Sequence, residues 1–333
     1  MSIESDLRKD GIRVVDILDT MSVNRISHNI ATKLCNTFPE LCFNESDLFA
    51  KLSKLGMYRA TMPEGMAEAN YFYKNTSIYF NEKIAIEDLE EFAIHECIHY
   101  IQEVKDKKNN LVRMGLCNFD NFKIVGMGLN EAAVQYITSK VIGIEKDYVK
   151  YFGVSFRTIS PSYYPLECNL IEQMAYITGE TVLFDSTFTS NDKFKNEFIK
   201  LTSEKTYDDI EYYVDQILDF EEKIIRLNNK SSSYDERNKT VEKLVEKTEN
   251  CKNKISEYFE KAQNLIIKNY FDKAFRNIEN LEELDNYRRK LEHKSNVLEN
   301  GGIETALECK KTNLFVSWFR AIKNFVTGEK IHN

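Results

Sequence analysis

The chain has 333 residues and a mass of 39.0 kDa, with 42% hydrophobic and 29% charged residues, a balance that excludes a disordered chain and a membrane bundle. Four prolines and twelve glycines are too few turn-formers for an all-β sandwich or barrel, so the fold is expected to be helix-rich. A net charge of −8 argues against a sequence-independent grip on nucleic acid, and no apolar run approaches the length of a membrane span.

The first residues are charged and lack the apolar core of a secretory signal. Seven cysteines, an odd number with no CxxC pair, fit reduced thiols, so a cytoplasmic location is expected. In chain order, residues 1–56 read as an N-terminal helical segment. Val14, Ile17 and Leu18, then Ile26, Ile30 and Leu34, recur every three to four residues. Asn44 to Asp47 form a cap before Leu48. Around Tyr58 the period changes, and Tyr71-Phe72-Tyr73 and Ser77-Ile78-Tyr79-Phe80 flank a polar turn, which predicts a hairpin. A long helix is expected over about 87–107, then a glycine-punctuated loop, then a helix over about 131–141 opened by Glu131.

Pro161 and Pro165 bracket a turn before a helix over about 166–178, with Gly179 as its stop. Past residue 205, Ile210, Tyr213, Ile217, Phe220 and Ile224, and later Val241 to Leu265, repeat with spacing near 3.5. That is the pattern of a helical hairpin packed as a coiled coil, or of a dimer seam. Near the end, Leu314 to Ile322 form an amphipathic segment that holds the sole tryptophan, Trp318, and suits an intramolecular docking helix.

The chemistry concentrates in His95-Glu96-Cys97-Ile98-His99, an HExxH motif on the long helix. Histidines four apart lie about 40° apart around a helix, one turn above the other, so both can reach one metal. Glu96 falls beside them, within reach of water at the metal without being a ligand. Ile94, Ile98 and Ile101 make a separate stripe for the core, and Cys97 points away from both histidines. Positions 102 and 105 are Gln102 and Lys105, so no third histidine follows on the same helix. Glu131, in Asn130-Glu131-Ala132-Ala133, is the acidic residue whose small neighbours allow a second helix to approach closely. Two histidines and one glutamate leave a fourth position open, the catalytic arrangement of zinc. His28, His293 and His332 read as surface residues.

In HECIH at 95–99, Asn130-Glu131-Ala132 and the preceding hairpin, the chain resembles the gluzincin metallopeptidases, the thermolysin-like group. HECIH is also similar to the HELIH of botulinum-type neurotoxin light chains over those five positions. The gluzincin resemblance covers about residues 70–142. It implies a zincin-like catalytic domain over 57–204 with a small sheet and zinc helices; with the helical domain that the spacing predicts over 205–333, the expected fold is α+β and predominantly helical. It implies one Zn²⁺ per chain on His95, His99 and Glu131, with Glu96 as general base in the hydrolysis of a peptide or protein substrate.

Gln135 stands where thermolysin-like members have an aspartate behind a zinc-bound histidine, leaving a backbone carbonyl or Gln135 itself to hold the imidazole. For the oxyanion, Tyr163 and Tyr164 are the expected donors, with Arg157 as a cationic alternative and local packing as the competing use of all three. The helical half reads either as structure or as a surface for a protein partner. Two rival readings follow: a degenerate scaffold acting through the hairpin, and a protease effector or toxin with one protein target.

Overall fold

The computed structural model describes residues 7, 11–120, 123–231, 239–292, 307 and 310–316. The fold is mixed α/β and mostly helical, with three small sheets. Among the described residues no helix is long and apolar enough to cross a membrane. His293, His332 and the stretch from Ser317 to Ile322, Trp318 included, lie outside the described residues.

β1 (Arg13–Ile17) opens the chain's first sheet. The helical expectation for Val14 and Ile17 is therefore corrected: both are exposed on an edge strand. Five residues rich in β-branched side chains are too few to separate a helical from a strand period. α1 (Thr20–Thr37) follows, capped by Asp19, whose carboxylate accepts from Ser22 N at 2.8 Å. It buries Ile26, Ile30 and Leu34. Asn44 caps α2 (Glu45–Leu52), accepting from Asp47 N at 3.1 Å.

β2 (Gly56–Thr61), β3 (Ala69–Phe72) and β4 (Ser77–Asn81) complete the first sheet in the order β1-β2-β4-β3. β2 and β4 are parallel, whereas β3 pairs antiparallel with β4 as the expected hairpin and forms the far edge. α3 (Leu89–Gln102) packs beside β3. It ends five residues earlier than its pattern predicts, because the chain turns at Glu103 into β5 (Glu103–Lys105).

β5, β6 (Leu111–Met114), β7 (Cys117–Asp120) and β8 (Lys123–Val125) form a four-stranded meander where a loop is expected. α4 (Met127–Ile142) then starts four residues before its expected position, so Glu131 lies one turn inside the helix rather than opening it. β9 (Asp147–Tyr151) and β10 (Val154–Thr158) pair as a hairpin. α5 (Pro165–Thr178) carries proline at its first position and stops at Gly179, as expected. α6 (Glu180–Thr189) and α7 (Lys193–Leu201) are short. α8 (Glu204–Ser231) and α9 (Lys239–Ala274) pack along each other, and α10 (Leu281–Glu292) follows.

One apolar cluster runs from Val23 in α1 to Ile266 in α9, so the elements before α8 and the hairpin share a core. Phe156 of β10 meets Phe259 of α9 with ring centroids 5.4 Å apart. The hairpin also supplies the start of α4. Asp215 of α8 accepts from Gly126 N at 2.9 Å and Gly128 N at 2.8 Å. Gly126 has φ 81°, which suits glycine, and a Cβ on Gly128 would come within 2.7 Å of the Val214 carbonyl oxygen.

Candidate metal centre

The centre lies between α3 and α4, which cross where Ala132 and Ala133 are fully buried. On α3, Ile94, Cys97 and Ile98 are wholly buried in the core, Ile101 of the expected stripe is only half-buried against it, and His95 and His99 turn towards α4. One turn into α4, Glu131 meets both imidazoles, with Oε2 3.2 Å from His95 Nε2 and Oε1 3.4 Å from His99 Nε2. The two Nε2 atoms are 3.0 Å apart. One ligand atom from each of the three residues lies within 4.8 Å of the others, and this group could hold a metal ion.

The donor chemistry fits a divalent cation. His95 Nδ1 lies 3.0 Å from the Gln135 carbonyl oxygen, Oε1, so Nδ1 donates there while Nε2 faces Glu131. Gln135 sits four residues after Glu131 on the same face of α4, and it takes the supporting place that the sequence left open. Its amide also donates to Ser160 Oγ at 3.0 Å, and Ser160 donates to the Tyr163 carbonyl at 2.6 Å. A single chain of bonds thus ties His95 to the tyrosine loop. His99 Nδ1 is buried without a partner.

Glu96 is buried on the same helix and points between α3 and the edge strand, where its Oε2 accepts from Tyr71 N at 2.7 Å. Burial pushes its carboxyl up to about 7; nearby His95 lowers it, Glu131 raises it further, and the Tyr71 N–H lowers it. For Glu131 burial also opposes the charge, but His99 and His95 outweigh that and hold its carboxyl well below the usual range.

Both expected tyrosines border the same cleft. Tyr164 has left-handed backbone angles, φ 48° and ψ 48°, which turn its side chain in just before α5 begins. Its ring lies nearly parallel to His95, with centroids 6.2 Å apart. Burial and the carboxylates of Glu131 and Glu96 drive its phenol far above its usual pKa, so it stays protonated and able to donate. Tyr163 is pushed up to about 12 by burial and by Glu68, to which its hydroxyl bonds. Arg157 lies on β10 and does not line the cleft.

The cleft has a volume of about 110 Å³. Its walls include Phe92, Thr138, Ile142 and Ile144, and its rim carries Glu68 and Glu91, which the sequence reading did not single out. Glu91 had a signal, since it precedes His95 by four residues and so shares its helix face. Glu68 and Ser160 had none, because they reach the site only through tertiary packing. His28 is a surface residue, as expected, 3.9 Å from Glu45. Comparison with protein-family models, with curated proteins and with solved structures finds no match to this chain, so the functional reading rests on these side chains themselves.

Proposed function

We propose that the chain is a zinc-dependent peptidase of gluzincin type that hydrolyses peptide bonds. Zinc would be held by His95, His99 and Glu131. The observation that carries the reading is the convergence of these three ligand atoms beside Glu96, a buried carboxyl that is not itself in the ligand group. The mixed sheet, with its antiparallel edge strand β3 next to α3, supports a zincin-like core.

When bound, the zinc ion supplies a Lewis acid that acidifies water and polarises a carbonyl. The chain's own groups do the rest. The Tyr71 N–H fixes Glu96 through Oε2, which leaves Oε1 to accept the proton of the attacking water. A carboxyl pushed up to about 7 holds that proton well enough to deliver it to the leaving amine, so the proton ends on the new amino terminus. Tyr164 keeps its phenolic proton and donates it as a hydrogen bond to the oxygen on which charge develops. Gln135 holds the His95 ring so that Nε2 faces the metal position.

The test is Glu96→Gln in zinc-loaded protein, with hydrolysis followed by mass spectrometry of a peptide mixture. Zinc content should stay at about one per chain, while hydrolysis falls roughly 10²- to 10⁴-fold. Hydrolysis at the wild-type rate would overturn the role of Glu96. A wild-type chain that takes up no zinc would overturn the whole reading.

A further inference from the structure

The cleft beside His95 combines an apolar interior with an acidic rim. Phe92, Ile142 and Ile144 line its inside. Glu68, at the approach to the edge strand, and Glu91, one turn before His95 on α3, border it, and among the described residues no lysine or arginine lines it. Glu68 is half-buried and held in place by the Tyr163 hydroxyl, whereas Glu91 is exposed. Buried Glu96 adds a third carboxyl to the same wall. A neutral aliphatic side chain would satisfy the apolar walls and leave the rim carboxylates without a counter-ion.

We propose that this cleft takes a basic side chain, lysine or arginine, from a residue next to the scissile bond, with its methylene stem against Phe92 and Ile142 and its cation at Glu68 and Glu91. The assignment rests on the peptidase reading for what is bound, but the fit itself depends only on the cleft. Long basic side chains bury their stems along apolar surface while the charged head stays near water, and the cleft offers that division. At about 110 Å³ it has room for one such side chain and not for a folded segment.

The test uses the full zinc-loaded chain and short peptides, acetylated and amidated at their ends, that differ only in carrying lysine, norleucine or glutamate at each position in turn. At one fixed position next to the cut, lysine should be cleaved about tenfold faster than norleucine, with glutamate slower still. Raised salt should shrink the preference. The double variant Glu68→Gln, Glu91→Gln should erase it.

Norleucine cleaved as fast as lysine, or a lysine preference that survives the double variant, overturns the inference and leaves the peptidase reading standing. A preference that appears only when the same peptides are left unacetylated assigns the rim to an α-amine and overturns the side-chain assignment. If no peptide is cut, binding of the same peptides to the zinc-loaded Glu96→Gln protein, read by fluorescence anisotropy, decides. Lysine bound about tenfold tighter than norleucine, with the gap lost when Glu68→Gln and Glu91→Gln are added to Glu96→Gln, keeps the cleft assignment while the peptidase reading falls. Equal binding overturns both.

Discussion

Glu131 at the metal centre and Glu167 beneath the helical hairpin are both taken out of water, yet their surroundings drive them in opposite directions. Glu131 faces two imidazoles, at 3.2 and 3.4 Å, and its carboxyl is held ionised. Glu167, in the first turn of α5, is completely buried. Its partner is another carboxyl, Glu221 of α8, which also bonds to the Tyr151 hydroxyl. Burial pushes Glu167 up to about 7, and it drives Glu221 well above its usual value with Glu167 adding to the rise. Burial alone therefore does not set the charge state in this core. One region could hold a metal ion, and the other stays intact by keeping a proton.

The comparison can be broken most severely at Glu131. Glu131→Ala removes one of three ligands, so zinc content measured by elemental mass spectrometry should drop from about one per chain to near zero. Retained zinc would mean that another residue completes the site. The next largest effect is expected from Gln135→Ala, which frees the His95 ring and should weaken zinc binding roughly 10- to 100-fold in a competition titration with a chelator.

Gly128→Ala acts on the contact that joins the two regions. Its new Cβ would lie 2.7 Å from the Val214 carbonyl, a backbone atom that cannot rotate away, so α8 must shift. A loss of about 2 kcal/mol in urea unfolding is expected.

The smallest effect belongs to Glu167. Its folded-state pKa lies above the ordinary carboxylate value, so its contribution to stability is complete below that ordinary value and is lost as pH climbs through about 7. Glu167→Gln, which needs no proton, should gain about 1 kcal/mol over wild type at pH 8 and nothing at pH 5. Equal urea midpoints for the two proteins at pH 8 would mean that Glu167 is not the titrating group.

The helical hairpin was readable in advance because its information is local and repeated. Ile210, Ile217 and Ile224 are all buried, and each position repeats the message of the last. His95 and His99 were readable for a related reason, since HExxH puts two imidazoles on one helix face by spacing alone. The meander over 103–125 was not. Its strands are three or four residues long, too short to show alternation, and they are fixed from a distance. Leu116 N bonds to Asn130 Oδ1 at 3.1 Å, and Gly115 N bonds to Ser190 Oγ at 2.7 Å. The link from Gln135 through Ser160 to Tyr163 likewise joins α4 to a loop that is close only after folding. β1 was misread because its apolar residues satisfy two periods at once.

The cap that Asp215 places on α4 bears on the order of events during synthesis. α4 begins just after Gly126, but the carboxylate that satisfies the Gly126 and Gly128 N–H groups is made 87 to 89 residues later. A nascent chain that has just released Glu131 from the ribosome has neither that cap nor the Val214 backbone that packs over Gly128. If the group takes up a metal ion, its capture is expected to be a late step, after α8 has docked, with the α3 histidines a two-ligand site until then.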